Sequence, residues 1–234
     1  MKKKHVILAG VILIIGLISF LSSPVFYISY IEFKGVNILS EDDVISGDFR
    51  KKIEGKNIWT INTREMEEKI INNRYIEEVT FKRNFPSELE IIVEERMPVG
   101  KILNNDKYLL FDGKGYILEE NTKNPKFDVP LIQGAGYIFE NEYLQFSSEL
   151  ERIVRALEVM GFTNRNAIDR IYFENTEINC ILLNDIDVYF GQKNRLERKF
   201  EIFDSTIEKI KSEKMKVDYI DLQLVNRPVL KKNE

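Results

Sequence analysis

The chain has 234 residues, of which 44% are hydrophobic and 31% are charged. These proportions are typical of a folded protein rather than a disordered one, and the length allows an anchor and about two small domains. The formal net charge is −4, and the part from Ser29 onward has 31 basic and 38 acidic side chains. Because phosphate binding relies on basic patches, this acidic balance argues against a nucleic-acid partner.

An uncharged apolar segment predicts a transmembrane helix over residues 6–28. It reads VILAGVILIIGLISFL up to Leu21, and its apolar character resumes after Pro24. A helix of this length would span about 34 Å, against a hydrocarbon core of about 30 Å. The side chains expected to anchor it in lipid include Val6, Ile12, Ile15, Leu17 and Phe20.

Three lysines, Lys2–Lys4, precede this segment. By the positive-inside rule, residues 1–5 form a short cytoplasmic tail and the chain after the helix is exported, as in a single-pass type II protein. A cleaved signal peptide has the same basic start and apolar core, but it needs small residues one and three positions before the cut. For a cut after Ser23, the residues Leu21 and Pro24 are unfavourable. We therefore expect the anchor to be retained.

Residues 29–97 predict a small α+β domain in the order β-α-α-β-β. Ser40 and Asn62 are each followed three residues later by an acidic side chain, which is typical of helix N-caps. Apolar and polar residues alternate in the last two strands, which predicts a sheet with one buried face. Trp59 is expected to be a core residue. The elements are a strand over 28–35, helices over 44–49 and 66–71, and strands over 79–84 and 88–94.

Residues 98–234 predict a mixed antiparallel β domain with two helices. Ser148 and Asn194 begin the two helices, and the glycines of 112–115 provide a hairpin turn. Pro228 follows the last strand, and since proline cannot donate to an inner ladder, this favours a sheet edge. The predicted strands are 108–111, 116–118, 129–134, 168–173, 179–183, 186–190 and 217–225.

Several segments resemble the bacterial cell-division family FtsQ/DivIB. In the first domain these are IEFKGVNILSEDDV, NIWTINTREMEEKI and, most specifically, the stretch 79–100, which ends in EERMPVG; DGKGYIL follows. In the second domain the matching motifs are V-x-F-G at 188–191, L-x-x-K-[FL] at 196–200 and Y-[IV]-D-L at 219–222. Arg74 departs from the family, where many members have proline. The resemblance implies a POTRA domain followed by the C-terminal β domain of the family.

The same resemblance implies a scaffold that acts at the division septum and helps couple septum formation to peptidoglycan synthesis, without a cofactor or a small-molecule substrate. In the family, the last strand of the β domain binds FtsB, or DivIC in Gram-positive bacteria, and FtsL joins the complex. The partner-binding residues implied here are Tyr219, Asp221, Leu222, Gln223, Leu224, Val225 and Arg227.

On a continuous strand, Ile220, Leu222 and Leu224 would face the core, and the alternate residues would face outward. The residues alone equally allow an inner strand that completes the sheet. Relatives often place arginine and an aromatic residue where this chain has Gln223 and Leu224, so the partner's contact residues are expected to differ as well.

The exported part shows no pattern of catalytic or metal-binding residues. The single histidine, His5, lies beside the membrane, and Cys180 lies in an apolar strand, where a buried thiol is expected. Asp185 and Asp187 fit a solvated turn better than a metal site. We therefore predict a protein that is not an enzyme. A POTRA scaffold for protein export or sporulation is the alternative, and an anchored cell-wall hydrolase is disfavoured.

Overall fold

A computed structural model describes residues 2–174, 177–225 and 227–232. The chain divides into two compact units, one up to Arg96 and the other from Met97. The N-terminal helix belongs to the first unit. The predicted α+β class is confirmed, with a small mixed sheet in the first unit and a large mixed sheet in the second.

The N-terminal helix α1 covers Lys2–Leu21, and its part from Lys3 to Leu21 is long and apolar enough to cross a membrane. At about 1.5 Å per residue that part measures about 28 Å. The anchor side chains predicted from the sequence are all on this helix and all exposed: Val6, Ile12, Ile15, Leu17 and Phe20. A helix that exposes large apolar side chains in this way fits a membrane anchor, since water is a poor solvent for such a surface.

Helix α1 ends at Leu21, earlier than the Ile28 expected from the sequence. Pro24 lacks an amide hydrogen, and the chain passes into a 3₁₀ turn over Pro24–Phe26. Ile28 is buried in the folded part of the first unit, where its amide donates to the Lys56 carbonyl at 2.9 Å and its carbonyl accepts from Gly55 at 2.9 Å. The apolar residues after Pro24 therefore include core residues of the folded unit.

The first unit has a three-stranded sheet in the order β1-β3-β2, with β1 parallel and β2 antiparallel to β3. The helix expected over 44–49 is two short helices, because Ile45 is extended and buried between them. Ser40 and Asp43 form the predicted capping box. The elements are β1 Tyr30–Lys34, α2 Glu41–Val44, α3 Gly47–Ile53, α4 Thr63–Ile70, β2 Ile76–Asn84 and β3 Glu88–Glu95.

Glu95, at the end of β3, holds the loop that follows β1. Its carboxylate accepts hydrogen bonds from three consecutive backbone amides, those of Asn37, Ile38 and Leu39, at 2.9 to 3.0 Å. These amides precede α2 and have no strand partner. The glutamate of the EERMPVG segment therefore joins two parts of the fold that are far apart in the sequence.

We expect Glu95→Ala to lower the free energy of unfolding by about 2 kcal/mol, because charge-assisted hydrogen bonds are lost and only water can partly replace them. Urea unfolding of the detergent-solubilised chain, followed by circular dichroism, measures this change. Glu94→Ala is the matched control, since Glu94 is the exposed neighbour on the same strand. Equal stability of the two variants would contradict a structural role for Glu95.

The second unit contains a nine-stranded sheet in the order β14-β13-β12-β11-β10-β7-β4-β5-β6 and a separate β8-β9 hairpin. Its strands are β4 Pro98–Asn104, β5 Lys107–Asp112, β6 Ile117–Thr122, β7 Leu131–Gln133, β8 Tyr137–Glu140, β9 Tyr143–Phe146, β10 Ile168–Glu174, β11 Glu177–Leu182, β12 Asp187–Gln192, β13 Val217–Asp221 and β14 Val229–Lys232. Its helices are α5 Ser148–Glu158, α6 Phe162–Arg165 and α7 Leu196–Glu213.

The contact between helix α7 and the sheet contains three fully buried phenylalanines, one on β12 and two on α7. Phe190 of β12 stacks on Phe200 at a centroid distance of 4.3 Å and meets Phe203 edge-on at 5.4 Å. Ile220 of β13 and Ile153 of α5 belong to the same core. The alternate residues of β12 and β13, such as Tyr189 and Tyr219, are only partly buried and lie on the opposite face.

Candidate partner-binding site

In the described part of the large sheet, the edge strands are β14 and β6. Strand β13 pairs in parallel with β12 on one side and antiparallel with β14 on the other. The strand predicted over 217–225 is therefore too long, and of the two positions left open for it, β13 takes the inner one and not the favoured edge. The edge belongs to Val229–Lys232, which was not predicted to be a strand.

A turn after Asp221 produces this arrangement. The Asp221 carboxylate accepts the amide of Gln223 at 2.9 Å, and the Arg227 amide donates to the Leu224 carbonyl at 2.9 Å. A hydrogen bond between an aspartate side chain and the backbone amide two residues later, such as that of Asp221, competes with strand pairing and ends it. Leu222 still bonds to the sheet, because its amide donates to the Tyr189 carbonyl at 2.8 Å.

The turn also decides which predicted residues can reach a partner. Ile220 and Leu222 face the core as expected, with exposures of 0% and 1%. Leu224 was expected beside them and is instead 66% exposed, because the strand has ended before it. Leu222 is thus a core residue, and a charged substitution there would disturb folding rather than report on binding.

Four of the sequence-predicted residues meet at one surface cleft of about 440 Å³. They are Gln223, Leu224, Val225 and Arg227, and the opposite wall is formed by Asn194 and Arg195. Neither Asn194 nor Arg195 was expected from the sequence to be a contact residue. Their part in the cleft follows from the packing of the α7 N-terminus beside the turn, which no local pattern reveals.

The remaining predicted residues, Tyr219 and Asp221, lie on β13 next to the edge strand. Tyr219 is paired with Lys231 of β14, whose ammonium lies 5.7 Å from the tyrosine ring centroid. Lys231 also lies 3.5 Å from the Asp218 carboxylate. The ring of Tyr189 meets Tyr219 at 6.0 Å, so aromatic side chains border this part of the edge.

Basic side chains outnumber acidic ones in this region, where Arg195, Arg227, Lys231 and Lys232 lie near Asp218 and Asp221. Arg195 and Arg227 line the cleft, and none of the described lining residues is acidic. Lys231 and Lys232 are exposed on β14. This basic edge contrasts with the net charge of −4 for the whole chain. An acidic segment is the ligand that it would attract.

Lys199 stabilises the cleft wall that contains Asn194 and Arg195. Its side chain is 1% exposed, and its ammonium donates to the carbonyls of Phe190 and Gln192 at 2.7 and 2.8 Å and to Asn194 Oδ1 at 3.2 Å. Burial lowers the pKa of Lys199 from its ordinary value. The lysine of the L-x-x-K-[FL] motif therefore ties α7 to the loop that presents Arg195.

Gly191, the last residue of the V-x-F-G motif, leaves room for Gln223 of the cleft. Its φ of +64° lies in the region that favours glycine. A Cβ at this position would approach Gln223 Cγ to 2.9 Å. Only glycine allows Gln223 to pack this closely over the end of β12.

We expect Lys199→Met to lower the free energy of unfolding by about 1–3 kcal/mol, because two carbonyl groups lose a buried charged donor. Urea unfolding measures this effect. Lys209→Met provides the matched control, since Lys209 is exposed on the same helix. A loss of stability no larger than that of the control would show that Lys199 does not hold the loop.

Two kinds of potentially reactive group, a thiol and a cluster of carboxylates, are either buried or paired with other side chains. Cys180 is fully buried, and burial raises the pKa of its thiol well above the ordinary value. In the first unit, the carboxylates of Glu32, Glu88 and Glu90 lie within 4.8 Å of one another. Lys34 Nζ lies 3.0 Å from Glu90 and 3.5 Å from Glu32, which supplies positive charge to this group.

Asn84 completes the compensation of these carboxylates. Its amide donates to Glu88 at 3.0 Å and to Glu90 at 2.8 Å. The hydrogen bond from Asn84, followed by that from Lys34, lowers the pKa of Glu90 below its ordinary value. The cluster is therefore compensated within the protein by hydrogen bonds and ion pairs between strands.

Comparisons with known proteins agree with the sequence resemblance. Residues 26–96 match the family model "POTRA domain, FtsQ-type", and residues 102–223 match "Cell division protein FtsQ/DivIB, C-terminal". The cell division protein DivIB of Clostridium botulinum strain Hall is 28% identical, with 97% of this chain and 92% of the relative covered. FtsQ of Neisseria gonorrhoeae is 25% identical, with coverages of 89% and 81%.

Among solved structures, the chain is similar to the major extracytoplasmic domain of DivIB from Geobacillus stearothermophilus. That match has 12% identity and a TM-score of 0.33 and covers 51% of this chain and 91% of that one, a likeness too distant to support a structural comparison. The matches to the sequence models and to the curated relatives extend over most of the chain. The chain belongs to the FtsQ/DivIB family of bacterial cell-division proteins.

Proposed function

We propose that this protein is a non-enzymatic, single-pass scaffold of the bacterial division machinery that binds FtsL-like and FtsB/DivIC-like coiled-coil proteins. The observation that carries the proposal is the open, basic sheet edge of the second unit. Strand β14 has a sheet partner on one side, in β13. An unpaired edge offers backbone donors and acceptors to which a partner can add a strand.

The edge and the cleft provide the two parts of such a binding mode. Main-chain hydrogen bonds along Val229–Lys232 would supply part of the affinity, and the Val229 side chain, which is 49% exposed, would add apolar contact with the partner. The cleft between Arg195 and Arg227 would supply specificity. Guanidinium groups bind carboxylates in a bidentate geometry, so the partner segment is expected to present acidic side chains there.

The proposed topology follows from the N-terminal region. Lys3 and Lys4 precede the uncharged residues of α1, and the positive-inside rule favours a cytoplasmic position for them. Both folded units would then be exported. The FtsQ-type POTRA unit is proposed to recruit the protein to the septum, and the second unit to hold the coiled-coil partners that couple septum formation to peptidoglycan synthesis.

We expect Arg227→Glu to weaken partner binding by about tenfold or more, because one lost cross-interface ion pair and one new repulsion together exceed about 1.4 kcal/mol. Arg195→Glu should act in the same direction. Affinity is measured by titrating the reconstituted full chain with the coiled-coil partners of the same organism. Lys209→Glu makes the same charge change outside the cleft and should bind like the wild type.

A second pair of variants tests the edge strand itself. Val229→Asp places a charge on exposed β14, while Ile138→Asp does so at a 64% exposed position of β8, outside the large sheet. Only the first should weaken binding. Equal affinities for both variants would exclude β14 as the docking strand and leave the family assignment intact.

The cellular role is tested separately by depletion. Loss of the protein should give filamentous or chained cells, and a wild-type copy should restore septation and localise to mid-cell. A copy with Arg195→Glu and Arg227→Glu should localise but fail to restore septation. Normal septation after complete depletion would contradict the division role, and localisation away from mid-cell would favour export or sporulation.

A further inference from the structure

A row of aromatic side chains lies where α1 meets the folded part of the first unit. Phe20, one residue before the end of α1, meets the ring of Phe26 edge-on at 5.3 Å. Phe26 meets Trp59 at 5.8 Å, and Trp59 stacks on Phe85 at 4.1 Å. We call these four residues the aromatic platform. Three separate parts of the sequence contribute to it.

Most of the platform is exposed, contrary to the expectation that Trp59 is a core residue. Trp59 is 47% exposed, Phe85 50% and Phe20 63%, whereas Phe26 is buried beneath them. Neighbouring Val25 and Tyr27 are also exposed. An exposed cluster of this size and composition marks a contact surface, because isolated apolar residues do not assemble into stacked rows.

Hydrogen bonds join the platform to the end of α1. Asn57 Nδ2 donates to the Leu21 carbonyl at 2.7 Å, which satisfies one of the last carbonyls of the helix. The same side chain accepts the Trp59 amide through Oδ1 at 2.9 Å. One asparagine therefore links the helix end to the tryptophan, and the depth of Leu21 in a bilayer determines the level at which Trp59 lies.

That level is the polar interface of the bilayer. The candidate membrane span of α1, Lys3–Leu21, is about as long as the hydrocarbon core is thick, so with its lysines at the inner boundary Leu21 would lie near the outer one. Tryptophan and tyrosine are enriched at this depth because their rings have an apolar body and a polar group. Exposed Lys56 lies next to Asn57 in the chain and offers a positive charge to lipid phosphates.

We propose that the aromatic platform inserts into the outer lipid interface and thereby fixes the orientation of the first unit on the membrane. This inference rests on the proposed insertion of α1. Lipid is the favoured occupant because the platform is continuous with the lipid-facing surface of α1 through Phe20. A helix of a neighbouring protein would be the competing occupant, and the experiment below distinguishes the two.

Trp59 is the single tryptophan of the chain and reports its own depth. The full chain is reconstituted in phosphatidylcholine–phosphatidylglycerol vesicles whose acyl chains carry bromine either close to the headgroup or close to the chain end. We expect a blue-shifted emission, a large loss of emission with the shallow bromines, a smaller loss with the deep ones, and weak quenching by iodide in the buffer.

A control tryptophan is introduced at the C-terminal end of α4. In a Trp59→Phe background, Ile71→Trp places the probe at a 42% exposed position directly after α4, a helix of about 12 Å that begins near the platform. This probe should be quenched by iodide and unaffected by brominated lipid.

Flotation of the vesicles separates the possible failures. A chain that floats but whose Trp59 is quenched by iodide and not by bromine would overturn the inference while leaving the anchor in place. Protection of Trp59 from both quenchers would overturn it in favour of a protein contact. A chain that does not float would overturn both the anchor and the inference.

Discussion

The hydrogen bond from the Gln223 amide to the Asp221 carboxylate ends β13, and the exposed edge of the second unit depends on this. With the strand stopped at Asp221, the chain reverses and β14 returns along β13. The reversal brings Arg227 opposite Arg195 and leaves Leu224 outside the core. Residues 223–225 leave the ladder at this turn, and the cleft lies where they do so.

The side of the cleft formed by Asn194 and Arg195 depends on hydrogen bonds to backbone carbonyls at the end of β12. The chain passes through Gly191 with φ > 0 near the end of this strand, and the carbonyls of Phe190 and Gln192 on either side of it both accept from the Lys199 ammonium. A buried lysine is costly, but three oxygen acceptors and a covering helix offset that cost. The family motifs around these residues therefore describe a support for the cleft rather than its contact surface.

In the first unit, too, polar side chains make hydrogen bonds to backbone groups that are distant in the sequence. Glu95 and Asn57 lie at places where backbone groups have no regular partner, namely the loop before α2 and the end of α1. Each is a polar side chain from one part of the sequence that satisfies the backbone of another. These two residues connect the anchor and the helices to the small sheet, so that the orientation of the aromatic platform follows from the fold rather than from local sequence.

Periodicity and capping patterns determined much of this protein without any tertiary information. The apolar anchor segment, the caps at Ser40 and Asn62, the alternation in β2 and β3 and the aromatic face of α7 depend on neighbours within a few residues. Such local signals are visible in the sequence because their physical causes are local. Ile220 and Leu222 were placed in the core for the same reason.

Only the tertiary structure decided where β13 stops, which strand lies at the edge, and that Trp59 is exposed. Strand β14 has only four residues, VLKK, with no alternating pattern, and it is a strand because β13 offers it a ladder. Arg195 reaches the cleft because α7 packs on β12, and Trp59 reaches Phe85 because β2 passes beside the loop before α4. These outcomes depend on contacts between residues far apart in the chain, which no local pattern encodes.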